Sequence, residues 1–198
     1  MLFKLFYKLE NYRVFFSIIF FRFYYRIFSK IYNFRIGKKV LFFGKMKISK
    51  NLDSHLIIDD NCVFRSNYDS NLIGINRPCI ISLHHKNTVV KIGKNSGFSG
   101  TVIGAFDKII IGNNVMCGAN TLITDSDWHQ DDPRSSPPRP IIIGDNVWLG
   151  VNAVVLKGVT IGENSVIGAN SLVVKDIPAN VIAAGNPCKV IKSINNNG

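Results

Sequence analysis

The sequence predicts an all-β chain: a parallel β-helix built from six-residue repeats, preceded by a basic, aromatic segment of helical character. Three observations carry this. Ile143, Leu149, Val155, Ile161, Ile167 and Val173 recur six apart without a slip, and Gly144, Gly150, Gly162 and Gly168 directly follow four of them. Four residues after each of the first five stand Val147, Ala153, Val159, Ser165 and Ser171, all small or suited to a strand. Nowhere does this stretch show the spacing of about 3.6 that an amphipathic helix needs.

Six residues with one large aliphatic, a small neighbour and a small fourth position describe a short strand and a tight corner. The aliphatic points inward, and glycine or asparagine takes the left-handed backbone at the turn. Three such units close a coil, and coils stack as parallel strands about 4.8 Å apart. Periodicity leaves the hand of the coil open, because general connection rules favour the right. The same phase returns upstream at Ile111, Cys117 and Ile123, and again from Ile92 to Phe98. Coils are therefore expected across about residues 36–185, less regular before residue 90, within a domain of 36–194. The asparagine-rich end, 195–198, is expected to be a mobile tail. Cys117 falls in an inward aliphatic slot, which predicts an inert core thiol. Cys62, Cys79, Cys117 and Cys188 are widely spread with no paired spacing, and reduced thiols in a cytosolic protein are expected.

The first residues differ in kind. Residues 1–50 hold twelve Lys and Arg against one acid, Glu10, whereas residues 51–198 hold twelve of each sign. All of the net charge of +11 therefore belongs to the N-terminal part. Its longest uncharged run, the eight residues "VFFSIIFF", is far short of the roughly 20 that a spanning helix needs. Recurrent charges and the lack of a small-residue cleavage site also argue against a signal peptide. On a helix, Lys4, Lys8, Arg22, Arg26 and Lys30 share one stripe, and most of the remaining surface is aromatic or aliphatic. Residues 1–35 thus predict an amphipathic segment lying in a membrane interface, with packing on the domain or on a neighbouring subunit as the alternative. No aromatic platform or recognition motif accompanies the charge, so nucleic acid is not an expected partner.

One stretch breaks the order. "DSDWHQDDPRSSPPRP", residues 125–140, holds four of the seven prolines, four carboxylates and His129. The repeat lapses there within residues 124–142, and Ile123 and Ile143 lie twenty apart where three repeats would take eighteen. A loop thrown out of a coil carries no core, so its contribution lies elsewhere.

From the "NVWLG" coil through the unbroken repeats to "AAGNPCKVI", the chain resembles the hexapeptide-repeat acyltransferases over roughly residues 90–194. These include galactoside and maltose acetyltransferases and O-acetyltransferases of capsule and O-antigen synthesis. The resemblance implies a left-handed β-helix, a homotrimer, acetyl-CoA as acyl donor and no metal. It also implies a sugar as acceptor, and the basic, aromatic N-terminal segment adds the expectation of a lipid-linked glycan of bacterial surface polysaccharide biosynthesis. By matching position, His129 is the general base. Imidazole is suited to take a hydroxyl proton near neutral pH, and Asp125 or Asp127 would orient the ring. No Ser or Cys nucleophile is placed beside it, which favours direct transfer in a ternary complex. Trp148 and Gly150 would flank the pantetheine, Ala169 would offer backbone hydrogen bonds, and Lys175, Lys189 and Lys192 would approach the phosphates.

The acceptor side departs from the family pattern. The asparagine-containing stretch of those enzymes has no clean match in "SGFSGTVIGAFD". Ser99 falls near that place as a candidate acceptor contact. His84 and His85 read as surface or boundary residues, with a supporting acceptor role as the alternative. Metal chemistry on this scaffold would need histidines from consecutive coils, and His55, His84, His85 and His129 do not supply them. An N-acyltransferase acting on an amino sugar nucleotide and a non-catalytic trimeric scaffold remain as alternatives. The expected location is cytoplasmic, peripheral on the inner membrane.

Overall fold

The computed structural model describes the backbone of residues 2–194 and the side chains of residues 12–194. A helix, α1 (Leu2–Ile31), leads into a succession of short strands that sort into three sheets of six, eight and six. The chain visits the sheets in rotation. Lys108–Ile111 lies in the first, Met116–Cys117 in the second and Leu122–Thr124 in the third, and the next coil repeats the order. Ile143 pairs with Ile161, Leu149 with Ile167 and Val155 with Val173, all parallel and eighteen residues apart. This is the three-sided β-helix that the six-residue period requires.

Each inward column is continuous. Phe42, Phe64 and Phe98 stack with ring centroids 5.6 and 5.0 Å apart, and Cys117, Leu149 and Ile167 continue the column. Cys117 is buried, and burial pushes its thiol up to about 12. All four cysteines are buried and unpaired with one another. Along one corner Asn61, Asn95, Asn114, Asn146, Asn164 and Asn180 all adopt positive φ. Each carboxamide donates to the next at 2.9–3.0 Å. Asparagine tolerates this backbone because its short side chain can bond locally, and here that bond ties coil to coil.

Two excursions leave the coils. The first, residues 66–79, joins Val63–Arg65 to Ile80–Leu83 and contains the 3₁₀ turn Tyr68–Ser70. The second, residues 125–140, joins Leu122–Thr124 to Ile141–Ile143. Ile123 and Ile143 lie on adjacent faces, so twenty residues stand where six suffice elsewhere and the excursion adds fourteen. The sequence spacing of twenty is only two more than three whole repeats. A period shared by all three faces does not say which face the chain returns to.

The helix is more than an appendage. Phe21, Tyr25 and Phe28 face the opening coil, and Tyr25 is 1% exposed. Its ring lies 4.4 Å from Phe42, and its hydroxyl both donates to the Met46 carbonyl and accepts from the Met46 N–H, each at 2.8 Å. The C-terminal half of α1 therefore plugs the end of the β-helix over Val40, Phe42 and Met46. Arg26 and Lys30 are exposed and Arg22 is half-buried. The side chains of Lys4 and Lys8, and the tail 195–198, lie outside the described residues. At the opposite end, Val181–Ala184 pairs with the antiparallel strand Lys189–Ser193. No described helix is long and apolar enough to cross a membrane.

Candidate active site

The 125–140 excursion is framed by its own carboxylates. Asp125 is fully buried and accepts from the Phe106 N–H at 2.7 Å and the Asp107 N–H at 2.9 Å. Burial pushes its carboxyl up, and the N–H bonds oppose that rise. The Asp125 carbonyl accepts from the Arg139 N–H at 3.0 Å, which closes the loop at its base. Asp127 accepts from the Lys157 ammonium and, at 3.0 Å, from the Ser136 N–H. Lys157 also donates to the Ser136 carbonyl at 2.9 Å and hydroxyl at 2.7 Å, so one nearly buried ammonium clasps both arms of the loop. The lysine holds the Asp127 carboxyl below the usual carboxylate range.

Neither carboxylate bonds the His129 ring, contrary to the expectation that Asp125 or Asp127 orients it. Both are engaged by the loop frame, because a loop without a core needs charged and backbone bonds to hold its shape. His129 itself is exposed, and its backbone is pinned. Its N–H donates to the Asp127 carbonyl at 2.8 Å, and its carbonyl accepts from the Asp132 N–H at 3.1 Å and the Ser135 hydroxyl. The imidazole has no hydrogen-bond partner among the described residues and is open to a substrate.

Replacing Lys157 with Met should raise proteolytic cleavage within 125–140 about tenfold, which corresponds to about 1.4 kcal/mol in the opening equilibrium. The thermal midpoint should move by only a few degrees. Acid should loosen the same clasp. The folded Asp127 value lies below the unfolded one, so the contribution is full above about pH 4 and is lost as pH falls through the depressed value. Equal cleavage of parent and variant would remove Lys157 from this role.

Trp128, next to His129, forms the foot of the loop. It has a φ of 68°, and its indole N–H donates to the Thr124 hydroxyl at 2.9 Å. The edge of its ring lies against Gly104, where a Cβ would fall 2.4 Å from a ring carbon. His84 meets its edge at 4.9 Å, stacks on Phe106 at 4.2 Å and hydrogen-bonds the Ser82 hydroxyl at 3.0 Å. Burial holds the His84 imidazole below its ordinary value, and the neighbouring His85 adds to this. His85 meets Phe106 edge-on at 5.3 Å. The two histidines therefore belong to the foot of the His129 loop. Sequence reasoning missed Trp128, Phe106 and Lys157, although a bare glycine at 104 within a strand signals the close approach of another group.

Three of the residues expected on the donor side come together. Trp148, 57% exposed, lines one trough with Gly150 and Ala169. The Gly150 N–H donates to the Ile167 carbonyl at 2.7 Å, and a Cβ at 150 would fall 2.5 Å from the Ala169 nitrogen. Only glycine lets the two coils approach so closely. The Ala169 N–H has no partner among the described residues, which leaves it available to a ligand. Lys189 and Lys192 are exposed on the terminal strand opposite Ala184 and Ile182, and Lys175 is exposed just past the strand Leu172–Val173.

Ser99 is only 7% exposed, because the first excursion lies across it. Its hydroxyl accepts from the Asn71 carboxamide at 3.0 Å. The Asn120 carboxamide anchors that excursion, donating to the Gly74 carbonyl at 2.8 Å and accepting from the Asn76 N–H at 3.0 Å. Ser99 and His84 belong to different sheets, the second and the end of the third. The cluster of turn-forming residues in "SNYDSNLIGINRP" was the signal for this excursion. Among the described residues, no group of His, Cys, Asp and Glu could hold a metal ion.

A family model described as "Bacterial transferase hexapeptide (six repeats)" matches residues 140–175. The galactoside O-acetyltransferase of Lactococcus lactis subsp. lactis (strain IL1403) is 37% identical over 156 residues, 76% of this chain and 68% of that one. This chain belongs to the hexapeptide-repeat acyltransferases. Its three-sided parallel coils fit the left-handed β-helix of that family. The galactoside O-acetyltransferase of Escherichia coli (strain K12) is 43% identical over 112 residues, 54% of this hexapeptide-repeat chain. The match spans 55% of that relative's own length. AntD, an N-acyltransferase from Bacillus cereus, shares the fold, with a TM-score of 0.60 over 80% of this chain and 82% of its own at 21% identity.

Proposed function

We propose that the protein is an acetyl-CoA-dependent O-acetyltransferase acting on a sugar hydroxyl of bacterial surface polysaccharide under assembly. The observation that carries this is His129. Its ring is free and exposed on a loop whose backbone is clamped, in a chain whose matched relatives include two galactoside O-acetyltransferases. The imidazole takes the proton of the sugar hydroxyl as its oxygen attacks the thioester carbonyl. The carbon–sulfur bond breaks, the acetyl group passes to the sugar oxygen, and the proton goes on to the departing CoA sulfur.

Trp148, Gly150 and the free N–H of Ala169 hold the pantetheine, with Lys175, Lys189 and Lys192 near the phosphates. In a homotrimer, a neighbouring subunit forms the second wall of this groove. Release of free thiol from acetyl-CoA tests the reading. Thiol release dependent on a neutral sugar supports O-transfer, and release only with an amino sugar nucleotide would assign N-transfer instead. Release with neither class would leave a scaffold.

The helix suggests where the enzyme works. Phe16, Phe23 and Ile31 are 65%, 67% and 70% exposed, and Arg26 and Lys30 project beside them. A face so apolar and so basic suits an anionic bilayer surface, each charge contributing about 1 kcal/mol there. Peripheral attachment to the cytoplasmic face of the inner membrane would hold the enzyme near a lipid-linked glycan. Because Tyr25 plugs the β-helix, truncation would confound a test, and substitution on the exposed face is cleaner. Exchanging Phe16, Phe23 and Ile27 for Gln should reduce co-sedimentation with anionic vesicles at least about tenfold, since a large buried apolar side chain contributes about 1.5–3 kcal/mol. Thermal stability should hold. Undiminished sedimentation would make this face a packing surface.

A further inference from the structure

Three hollows on the outer face of the second sheet join end to end. The first, about 370 Å³, lies between α1 and the opening coil, with Ser17, Gly44, Arg65 and Ser70 in its wall. The second, about 390 Å³, shares Arg65 with the first and runs past Asn71 and Ser99 to Trp148. The third, about 390 Å³, shares Asn71 and Trp148 with the second and ends at Gly150 and Ala169. One trough thus leads from the helix to the coil proposed to bind the acyl donor, with Ser99 on the way.

Arg65 stands at the first junction. It is half-buried, its guanidinium carbon lies 4.6 Å from the Phe43 ring centroid, and one Nη donates to the Ser70 carbonyl at 2.6 Å. A guanidinium has five N–H donors, and only this one is engaged by described residues. No carboxylate lies within ion-pair distance of Arg65 among them. Asp69, on the rim, is paired with Arg13 at 3.7 Å, and among the described residues the charged lining of this hollow is net positive. The aromatic face fixes the position of the guanidinium, and its free fork matches a phosphate.

We infer that the trough is an elongated acceptor site with an anion subsite at Arg65. The acceptor is a sugar carrying a phosphate or diphosphate. Its anionic group docks between α1 and Arg65, and its sugar lies along Asn71 and Ser99 toward the donor coil. This rests on the acetyltransferase reading and adds the class of acceptor. The diphosphate could be that of a nucleotide sugar or of a lipid-linked one.

Calorimetry on the full chain tests it without any acyl transfer, using inorganic pyrophosphate as probe. The parent should bind pyrophosphate. Arg65→Gln should bind at least about tenfold more weakly, and Arg65→Lys, which keeps charge but loses the fork, should fall between them. Lys91→Gln, exposed on a strand of the first sheet, should bind like the parent, which separates this subsite from general surface charge. Farnesyl diphosphate binding more tightly than uridine diphosphate, with both dependent on Arg65, would assign a lipid-linked source, and the reverse order a nucleotide one. A parent that binds no pyrophosphate, or an Arg65→Gln protein that binds it equally, would overturn the subsite. Thiol release from acetyl-CoA with a neutral sugar would still stand in that case. Arg65-dependent pyrophosphate binding without any thiol release would instead sink the acetyltransferase reading alone.

Discussion

Exchange of His129 for alanine is expected to lower acetyl transfer roughly 10²–10⁴-fold, the usual scale for a general base, while the thermal midpoint stays close to the parent's. The reason is the division of labour within the loop. The backbone of His129 is held by Asp127, Asp132 and Ser135, and its ring supports nothing around it. Asp125 makes the opposite case. Removing its buried carboxylate strands the Phe106 and Asp107 N–H groups, each at about 1–3 kcal/mol, so Asp125→Ala should lower stability and transfer together. Thermal melts and steady-state thiol release on both variants check this. Unchanged turnover in His129→Ala would take the imidazole out of the mechanism, and a large loss of stability would make it part of the frame.

Tyr25→Ala should destabilise the whole β-helix by about 3–5 kcal/mol, the range for removing a large buried aromatic. The cost combines a cavity over Phe42 with an unpaired Met46 N–H and carbonyl at the end of the coil stack. Tyr25→Phe keeps the ring and loses only the hydroxyl, so it should cost about 1–3 kcal/mol. Denaturant titration of the two proteins would show the order. If Tyr25→Ala melts like the parent, α1 rests on the domain without closing it.

The coils were legible because their constraint is local and repeated. Every sixth residue from Ile143 to Val173 must fill the axis, and nothing else in the chain competes for those positions. His129 stood out because it interrupts that order. Other features depended on contacts made far along the chain. Asp125 looks like any loop carboxylate until Phe106 and Asp107, nearly twenty residues earlier, are brought beneath it. Tyr25 reads as one aromatic among many in an amphipathic helix, and only the open end of the coil distinguishes it from its exposed neighbours. The 66–79 excursion was hidden because the repeat before residue 90 is itself irregular, so a lapse had no regular background to stand against. Ser99 was placed by the family resemblance, but the covering Asn71 belongs to that unrecognised excursion.

The corner that carries His129 also bears on how such a protein can change. Val155 and Val173 close a coil across eighteen residues, whereas Ile123 and Val155 close one across thirty-two. For a flexible segment, the entropy of bringing the ends together grows only with the logarithm of length, so closure over the added residues costs about 0.5 kcal/mol. The ordering of the loop itself is offset by its own clasp. The closure cost is smaller than the energy of one ordinary buried methylene, about 0.8 kcal/mol. A corner of this solenoid can therefore gain, lose or exchange a segment with little consequence for the stack beneath it. Acceptor preference and scaffold stability are then separable quantities, and a lineage of such chains could explore new glycans by varying corner inserts alone.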